Sequence, residues 1–581
     1  MSVHKILAHR SSPIEYMNTN WFIYPENIDA QNLLSNELNI QRATAQVLIN
    51  RGIKTPEAAR KFLSPDISNI PDPYLLPDMD KAVIRIIDAI KNNEKIAIYG
   101  DYDVDGLTST ALMVRYLRSL GNDPVICIPD RITEGYGMHL SAIDRLKKQS
   151  VNLIITVDCG SKAYKEIRHA KNCGMDVVVA DHHEVGDIAD DIILLNTKRP
   201  DFKHGDRDVA GCTVAFFLVL AIEAKLNKNG ILKQLNENLD LLALATIADV
   251  VPLKGINRTI VKLGLDAAAN SLKHGIRCLI KSCGIKDNVK IKTFDVAYKL
   301  APRINAAGRL GSALKSLDLL LTDDKKTAEN IVEELYRLNS ERQVLEKAVL
   351  EEAEEMIKAG GFLEKPAMVL AGNGWHPGVI GIVASKLVDR YFLPTAIISL
   401  KEDSAKGSLR SVSGVNVMNV LNRCSDLLLH YGGHAEAAGV TIELSNINQF
   451  RDRFEKTCEE LYPEKISSKI KIDAVLKPQD ITMNLAKEMD MLEPFGVGNP
   501  EPLFYSNEFV VSSFRIVGKN HLKMRLSCPG YHGDIDAIGF TLGDKTVSRG
   551  DCIEAIFTPQ INEWNGFMSL QLKIKDLKCL K

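Results

Sequence analysis

Short apolar runs alternate with helical segments between about residues 95 and 200. The runs are KIAIYG (95–100), VNLIITV (151–157) and MDVVVA (175–180). Strands that alternate with helices are typical of a parallel α/β sheet. The helix between the first two strands is predicted to begin near Leu107 and to stop at Gly121. This part of the chain therefore predicts an open, parallel sheet covered by helices.

Each of these strands is followed at once by acidic or imidazole side chains. The groups are Asp101, Asp103, Asp105, Asp158, Asp181, His182 and His183. They fall at the carboxyl ends of parallel strands, where ligands bind in open α/β sheets. A further acid, Asp249, lies in DLLALATIADV (240–250), a segment that predicts a buried helix.

The clustering of these groups suggests a metal site. Asp101, Asp103 and Asp105 alternate along one segment, so their side chains share one side, and three crowded carboxylates repel one another without a cation. Alone, the motif would fit an acidic calcium-type loop or a solvated turn better than such a site, and a lone Asp or His usually has an ordinary structural explanation. At least four carboxylates with one or two imidazoles fit Mn²⁺ or Mg²⁺, and the imidazole favours Mn²⁺.

Composition excludes several other classes. The 581 residues exceed what one hydrophobic core supports and predict three or four domains. The 11 cysteines include no Cys-x-x-Cys pair, and no apolar stretch suggests a signal peptide or membrane span, so a cytoplasmic protein without a membrane partner is expected.

The net charge of −2 hides a basic stretch, Lys273 to Arg309, with a local charge of +7. That stretch could bind phosphates or be an ordinary solvated surface.

The remaining patterns divide the chain further. Residues 324–359 lack Gly and Pro and predict one long helix, most simply a connector, with a coiled-coil dimer as the alternative. A second α/β unit begins near Pro366, and short alternating runs from about 468 predict a small β-barrel. The predicted division is an N-terminal segment (1–45), a parallel-sheet α/β domain (46–323), a connecting helix (324–360), a second α/β domain (361–465) and a β-barrel domain (466–581).

Several blocks carry a family resemblance. GDYDVDG, TVDCG, ADHHEVG and ATIADVV look like the four successive motifs of the DHH phosphoesterases, in the family's order. APRINAAGR, GWHPGVIGIVASKL and YGGHAEAAG resemble the RecJ branch, and the last of these looks like the GGH signature of a DHHA1 domain. The C-terminal barrel is similar to an OB fold. The resemblance covers most of the chain from about residue 45 onward.

The resemblance implies roles for the clustered groups. Asp103 and Asp105 would be metal ligands, Asp158 and Asp249 candidates to bridge two Mn²⁺ or Mg²⁺ ions, and His182 the ligating imidazole. Asp101 and Asp181 would be ligands or would support ligands. His183 would contact the scissile phosphate or stabilise the leaving oxygen. Together these roles imply metal-dependent phosphodiester hydrolysis.

The RecJ branch further implies a 5′→3′ exonuclease that is specific for single-stranded DNA and releases 5′-mononucleotides. Such an enzyme must recognise a terminal phosphate, which suits the planar fork of arginine. Candidate DNA-binding residues are Arg131, Arg303, Asn305, Arg309, Ser408, Arg410 and His434, although any one of the arginines could be an ordinary surface residue. The implied partners are a single-strand-binding protein and a helicase, in recombination and repair.

Two other functions compete with this interpretation. A DHH phosphodiesterase of short oligoribonucleotides or cyclic dinucleotides would not need the extra C-terminal domain. A catalytically silent scaffold, like the RecJ-like subunit of the eukaryotic replicative helicase, would not need the complete set of acids and histidines.

Overall fold

The computed structural model describes residues 20–580 except 188, 190, 227–230, 287–288, 402–403, 464–468, 531–532 and 565. The described residues form two compact units. The central unit comprises 65–466 and 496–499, and the terminal unit comprises the described parts of 1–64, 467–495 and 500–581. Among the helices of these described residues, none is both long and apolar enough to span a membrane.

The chain begins with a strand and three helices that belong to the terminal unit. These are β1 (Asn20–Ile23), α1 (Ile28–Leu38), α2 (Arg42–Asn50) and α3 (Pro56–Leu63). Asn27 caps α1 by accepting a hydrogen bond from the Ala30 amide, and Thr55 caps α3 in the same way before Pro56.

The central unit begins with a five-stranded parallel sheet, as the sequence predicts. Its elements are α4 (Met79–Lys91), β2 (Ile96–Tyr99), α5 (Val104–Ser119), β3 (Val125–Cys127), α6 (Leu140–Lys148), β4 (Leu153–Val157), α7 (Tyr164–Asn172), β5 (Asp176–Ala180) and β6 (Ile193–Leu195). The strand order is β3-β2-β4-β5-β6, and every pairing is parallel. Helix α5 begins at Val104, earlier than the predicted Leu107, because Asp103 caps its first turn.

A helical region follows this sheet. It contains α8 (Gly211–Lys225), α9 (Ile231–Ala248), α10 (Gly255–Ala269), α11 (His274–Ser282), α12 (Thr293–Asp295), α13 (Ala301–Leu310), α14 (Leu314–Leu321) and α15 (Lys325–Gly360), with a π-helical turn at Val296–Leu300. The long helix α15 confirms the prediction of one continuous helix, and it packs on α11, α13 and α14. The basic stretch is not one solvated face, because Lys273 is buried against Asp240 and Arg309 is partly buried.

The second sheet of the central unit is mixed. Its elements are β7 (Met368–Asn373), α16 (Pro377–Tyr391), β8 (Thr395–Leu400), β9 (Ala405–Arg410), α17 (Val417–Asn422), β10 (Leu428–Gly433), β11 (Ala437–Ile442) and α18 (Ile447–Leu461). The strand order is β10-β11-β9-β8-β7, and only β7 and β8 pair in parallel.

The terminal unit contains the predicted C-terminal β-domain. Its remaining elements are β12 (Lys469–Ile472), β13 (Ala474–Val475), α19 (Met483–Leu492), β14 (Phe504–Val517), β15 (His521–Ser527), β16 (Ile535–Gly539), β17 (Cys552–Trp564) and β18 (Phe567–Cys579). Strands β14, β15, β16, β18 and β17 pair in that order, and β17 also pairs with β14, so the five strands pair in a ring. This pairing fits the small β-barrel that the sequence predicts.

The N-terminal helices share the hydrophobic core of this β-domain. Leu34 and Leu48 pack in one cluster with Phe504 and Phe557. Arg51 forms a buried ion pair with Asp473, with 2.8 Å between Nη1 and Oδ1. Residues 20–64 thus pack with the C-terminal residues, whereas the sequence division assigned 46–64 to the first α/β domain. The domain boundaries of the sequence analysis stay a proposal.

Candidate metal centre and arginine cluster

The first acidic motif lies in the turn between β2 and α5. Oδ1 of Asp103 accepts hydrogen bonds from the amides of Asp105 (3.0 Å) and Gly106 (3.2 Å), so this carboxylate caps the helix. A Cβ atom on Gly106 would lie 2.5 Å from the Asp101 carbonyl oxygen, which only glycine permits. The tight turn therefore holds the three acids of the motif at the edge of the sheet.

Asp105 is held by the first turn of α8. Its carboxylate accepts hydrogen bonds from the amides of Gly211 (2.6 Å) and Cys212 (2.8 Å). A Cβ atom on Gly211 would lie 2.7 Å from Oδ1 of Asp158, so the helix can approach both acids only with glycine there. No sequence motif predicts this contribution, and the signal for it in the sequence is a glycine that begins an apolar helix.

Asp158 and His182 face each other at the ends of β4 and β5. Asp158 has a φ of +59°, in the left-handed region that aspartate tolerates better than most residues. Its Oδ1 lies 3.1 Å from Nε2 of His182, and neither buried atom has a hydrogen-bond partner among the described residues. Two adjacent ligands of one octahedral cation are about 3 Å apart. The pair is therefore arranged as metal ligands are.

Asp181 orients the loop after β5. Its Oδ1 accepts hydrogen bonds from the His182 amide (2.7 Å) and pairs with Nδ1 of His183 (2.8 Å), while Oδ2 accepts from the Ser161 amide (2.9 Å). Burial opposes ionisation of Asp181, but the hydrogen bond and charge of His183 outweigh it and hold its pKa well below the usual value. These contacts make Asp181 a support for His183.

His183 is tied down on one side of its ring. Burial lowers its pKa, but the hydrogen bond and charge of Asp181 prevail and raise the pKa to about 9. Tyr136 Oη also lies 2.9 Å from Nδ1 of His183. The Nδ1 side of the ring is thereby occupied, and the Nε2 side is left for a ligand.

Asp249 directly follows α9, which ends at Ala248. Its Oδ2 lies 3.7 Å from Nδ1 of His182, and 26% of the side chain is exposed. The predicted buried helix is confirmed up to Ala248, but Asp249 lies just after the helix and not on it. The end of the helix brings Asp249 to the other acids.

The carboxylates raise one another's pKa. Burial, and then the charge of neighbouring aspartates, raise the pKa values of Asp101, Asp105, Asp158 and Asp249. Burial and the charge of His183 lower the pKa of His182 to about 4, so this imidazole is neutral, as a metal ligand must be. Such a cluster is stabilised by cations, which offset its negative charge.

The donor atoms fall into overlapping groups whose members lie within 4.8 Å of one another. One group contains Asp101, Asp103 and Asp158, a second contains Asp105, His182 and Asp249, and a third contains Asp158, Asp181, His182 and His183. Asp158 and His182 each belong to two groups. Oxygen-rich sets with one imidazole fit Mn²⁺ or Mg²⁺, so the residues present fit two cations held side by side.

Three candidate DNA-binding arginines approach one another beside this centre. Arg131 lies over the Tyr102 ring, 4.8 Å from its centroid. Arg309 donates to the Gly378 carbonyl oxygen (3.0 Å), and burial and the charges of Arg131, Arg342 and Arg410 lower its pKa to about 9. Burial and the charge of Arg131 also lower the pKa of Arg410. We call Arg131, Arg309, Arg342 and Arg410 the arginine cluster.

Ser408 and a glycine complete this region. Arg410 donates to Ser408 Oγ at 3.2 Å. A Cβ atom on Gly381, in α16, would lie 2.9 Å from that oxygen and 3.2 Å from Nη2 of Arg410. Arg342 is fixed by Glu346 and by Asn339 Oδ1 (3.0 Å). Arg342 was not among the sequence candidates, because it stands in no block with a chemical pattern. Gly381 lies in the block GWHPGVIGIVASKL, but nothing in that block indicates its contact with Ser408 and Arg410.

The remaining DNA-binding candidates, His434, Arg303 and Asn305, are not part of the arginine cluster. His434 follows β10, and its ring stacks on that of His183 with 6.1 Å between centroids. Arg303 instead donates to the Lys299 carbonyl oxygen (2.7 Å) and lies 5.6 Å from the centroid of the Tyr336 ring. Oδ1 of Asn305 is buried without a hydrogen-bond partner among the described residues.

Three family models match successive parts of the chain. The DHH family N-terminal domain matches residues 95–246, the DHHA1 domain matches 364–460 and the RecJ OB domain matches 472–576. These matches agree with the parallel sheet, the mixed sheet and the C-terminal β-domain.

Relatives and solved structures agree with these models. The single-stranded-DNA-specific exonuclease RecJ of Bacillus subtilis is 37% identical over 96% of this chain and 70% of the relative. The Escherichia coli protein of that name is 33% identical over 86% and 90%. The crystal structure of Thermus thermophilus RecJ in complex with Mn²⁺ has a TM-score of 0.83 at 31% identity, covering 97% of this chain and 80% of that one. The Mg²⁺ complex has a TM-score of 0.76 at 30% identity, with coverages of 97% and 79%. The chain therefore belongs to the RecJ family.

Proposed function

We propose that this chain is a metal-dependent exonuclease that degrades single-stranded DNA in the 5′→3′ direction and releases 5′-mononucleotides. The observation that carries the proposal is the convergence of five aspartates and a neutral imidazole at the carboxyl edge of the parallel sheet, in a chain of the RecJ family. The names of its relatives support the single-stranded DNA substrate.

Asp103, Asp105, Asp158, His182 and Asp249 would hold two Mn²⁺ or Mg²⁺ ions, with Asp101 beside them. Bound ions would lower the pKa of a water nucleophile and offset charge on the phosphate and the leaving oxygen. Asp158 belongs to two donor groups, which supports a bridging role. Asp249 lies with Asp105 and His182.

His183 would act on the phosphate through Nε2. Its Nδ1 is engaged by Asp181, and its pKa of about 9 keeps a proton on the ring at neutral pH. The protonated ring would donate a hydrogen bond to a phosphate oxygen or to the leaving oxygen. Asp181 would then act by orienting His183.

The direction of degradation would come from the arginine cluster. Metal ions bind the phosphates at the two ends of a DNA strand alike. The direction of degradation therefore requires a group that binds one terminus specifically. Arg309 and Arg410, with Ser408 and Arg131, offer charge-assisted donors to a terminal 5′-phosphate. Arg303 contacts Lys299 and Tyr336 instead, so we assign it, with Asn305 and His434, to contacts along the strand.

The C-terminal β-domain would add affinity through base stacking and backbone contacts, as OB folds do for single strands. From the family's role we further infer cooperation with a single-strand-binding protein and a helicase in DNA recombination and repair, and a cytoplasmic location. Co-purification of the tagged chain with these two proteins from cells would test the partners.

Single strands labelled at the 5′ or the 3′ end provide the decisive test. With purified protein and Mn²⁺, a 5′ label should appear at once as a mononucleotide, while a 3′ label should remain on progressively shorter strands. Early release of the 3′ label would overturn the polarity, and cleavage of duplex DNA at an equal rate would overturn the strand specificity.

A further inference from the structure

Four residues of the C-terminal part of the chain belong to the central unit. On both sides of it, the described residues of 467–495 and 500–581 lie in the terminal unit, but Gly496–Asn499 is part of the central unit. This segment is a tight turn, because the Gly496 amide donates to the Asn499 carbonyl oxygen (2.9 Å) and the Asn499 amide donates back (3.1 Å). Gly498 has a φ of +77°, the conformation that a type II turn requires at its third residue.

The turn packs against the loop that follows Asp249. The Leu253 amide donates to the Val497 carbonyl oxygen at 2.7 Å. A Cβ atom on Gly496 would lie 2.8 Å from Leu253 Cδ1, and one on Gly498 would lie 3.1 Å from Pro252 Cβ. Because both positions are glycine, the turn lies closer to residues 252 and 253 than it could with any larger residue there.

The loop after Asp249 has a backbone that needs such support. Val250 has a φ of +59°, which is unusual for a β-branched residue and persists only where the surroundings enforce it. On one side, Asn257 of α10 donates from Nδ2 to the carbonyl oxygens of Pro252 (3.0 Å) and Asp208 (2.6 Å). On the other side, the Val497 carbonyl oxygen accepts the hydrogen bond from the Leu253 amide and so holds the loop.

We propose that Gly496–Asn499 is a positioning segment for Asp249: it holds residues 250–253 so that the Asp249 carboxylate stays beside His182 and Asp105. The inference rests on the proposed role of Asp249 as a metal ligand. Asp249 needs this support more than the other acids do, because it follows the end of a helix and its side chain is partly exposed. Asp103 and Asp105, in contrast, accept hydrogen bonds from backbone amides.

The test is a double-mutant cycle on the full chain, with Mn²⁺ binding measured by electron paramagnetic resonance of the free ion. Gly498→Ala adds a methyl group against Pro252 and strains the turn. Loss of a group that orients a ligand commonly weakens metal binding 10- to 100-fold, so we expect about a 10-fold loss. Asp249→Asn should weaken binding more. Gly498→Ala should add nothing further in the Asp249→Asn background, because the residue that it positions is already lost.

Gly284→Ala is the matched control. Gly284 has a φ of +73°, close to that of Gly498, but a Cβ atom there would meet nothing within 4 Å. It carries the same backbone strain without the contact, and we expect unchanged Mn²⁺ binding. If Gly498→Ala does not fold, as judged by thermal melting, Gly496→Ala replaces it, because its clash is with the flexible end of Leu253.

The outcomes separate this inference from the proposed function. Wild-type Mn²⁺ binding by the folded glycine variant, or a full additional loss in the double variant, would overturn the positioning role. Wild-type binding by Asp249→Asn would instead overturn the assignment of Asp249 as a ligand.

Discussion

The metal centre and the arginine cluster are two groups of like charge in the central unit whose members are buried or partly buried, and burial shifts the pKa values of the two groups in opposite directions. Burial and mutual repulsion raise the pKa values of Asp105, Asp158 and Asp249. The same two causes lower the pKa values of Arg309 and Arg410. Glu346 pairs with Arg342, and His183 pairs with Asp181. Among the described residues, however, no acid forms an ion pair with Arg309 or Arg410, and the other acids of the centre outnumber its histidines, so each group fits a ligand of opposite charge. The acids fit cations, and the arginines fit a phosphate.

The two groups also differ in how they are built. Three of the acids belong to one turn, and the others directly follow a strand or a helix, so local segments position them. The four arginines come from four separate parts of the chain: a loop after β3, helix α13, helix α15 and strand β9. Under the proposed function, the acids would carry out the phosphodiester chemistry and the arginines would select the strand terminus. The following predictions test that division.

Removal of one shared acid should have the largest effect. Asp158→Asn keeps a residue that tolerates the left-handed backbone at this position but removes a charge shared by two donor groups. Loss of one group that stabilises developing charge commonly costs 10²–10³-fold in rate, so we expect a loss of about 10³-fold or more. Affinity for single-stranded DNA, measured by fluorescence anisotropy, should change little.

The exposed acid Asp144 offers a control, because Asp144→Asn changes the net charge equally outside the metal centre. Activity of Asp158→Asn close to that of wild type would remove Asp158 from the centre.

Removal of an arginine should have a smaller and selective effect. Arg410→Ala should slow degradation of a 5′-phosphorylated strand by about 10- to 150-fold, since a hydrogen bond to a charged group is worth about 1.5–3 kcal/mol. A 5′-hydroxyl strand should lose little. Initial rates on the two substrates, at subsaturating concentration, measure the difference.

Arg303→Ala is the comparison for Arg410→Ala. It also removes an arginine near the arginine cluster in sequence, on the same helix as Arg309, but Arg303 contacts Tyr336 and is not part of the cluster. It should affect both substrates equally. If Arg410→Ala also slowed degradation of the 5′-phosphorylated and the 5′-hydroxyl strand equally, the arginine cluster would not be the binding site of the terminal phosphate.

The acids should also make the metal-free protein sensitive to pH. Their pKa values in the folded protein, about 7 for Asp105 and about 8 for Asp249, exceed the roughly 3.9 of an unfolded chain. The folded state therefore binds more protons between about pH 4 and 8, and its free energy of unfolding should fall as the pH rises through that window. Urea unfolding at pH 5 and pH 8 in a chelator measures this slope.

Both saturating Mn²⁺ and Asp158→Asn should reduce that slope, the first by neutralising the acids and the second by removing one of them. An equal slope in the wild type and the variant would show that the acids do not dominate the pH dependence.

Replacement of His434, which follows strand β10 of the second sheet, should have the smallest effect on the rate. Among the described residues, His434 contacts the metal centre through the stacking of its ring on that of His183. Its replacement in His434→Ala should cost roughly fivefold in kcat/KM, about the worth of one ordinary hydrogen bond. A loss as large as that of Asp158→Asn would place His434 among the groups that do the chemistry.

The sequence predicted the parallel sheet and its acids because both depend on local order. A strand that ends in an aspartate puts that aspartate at the sheet edge wherever the strand lies in the sheet. The long helix was predictable for a similar reason, since residues 324–359 lack Gly and Pro and their apolar residues follow helical spacing. The blocks with family resemblance added the roles of the residues.

Only the tertiary structure decided the contacts between distant segments. It packed residues 20–64 with the C-terminal β-domain, set Gly211 against Asp105 and Asp158, and placed Gly496–Asn499 beside the loop after Asp249. It also separated Arg303 from Arg309, which lie on one helix but face different neighbours. Such contacts depend on which buried surfaces fit together, and hydrophobic burial has no direction that a local pattern could reveal.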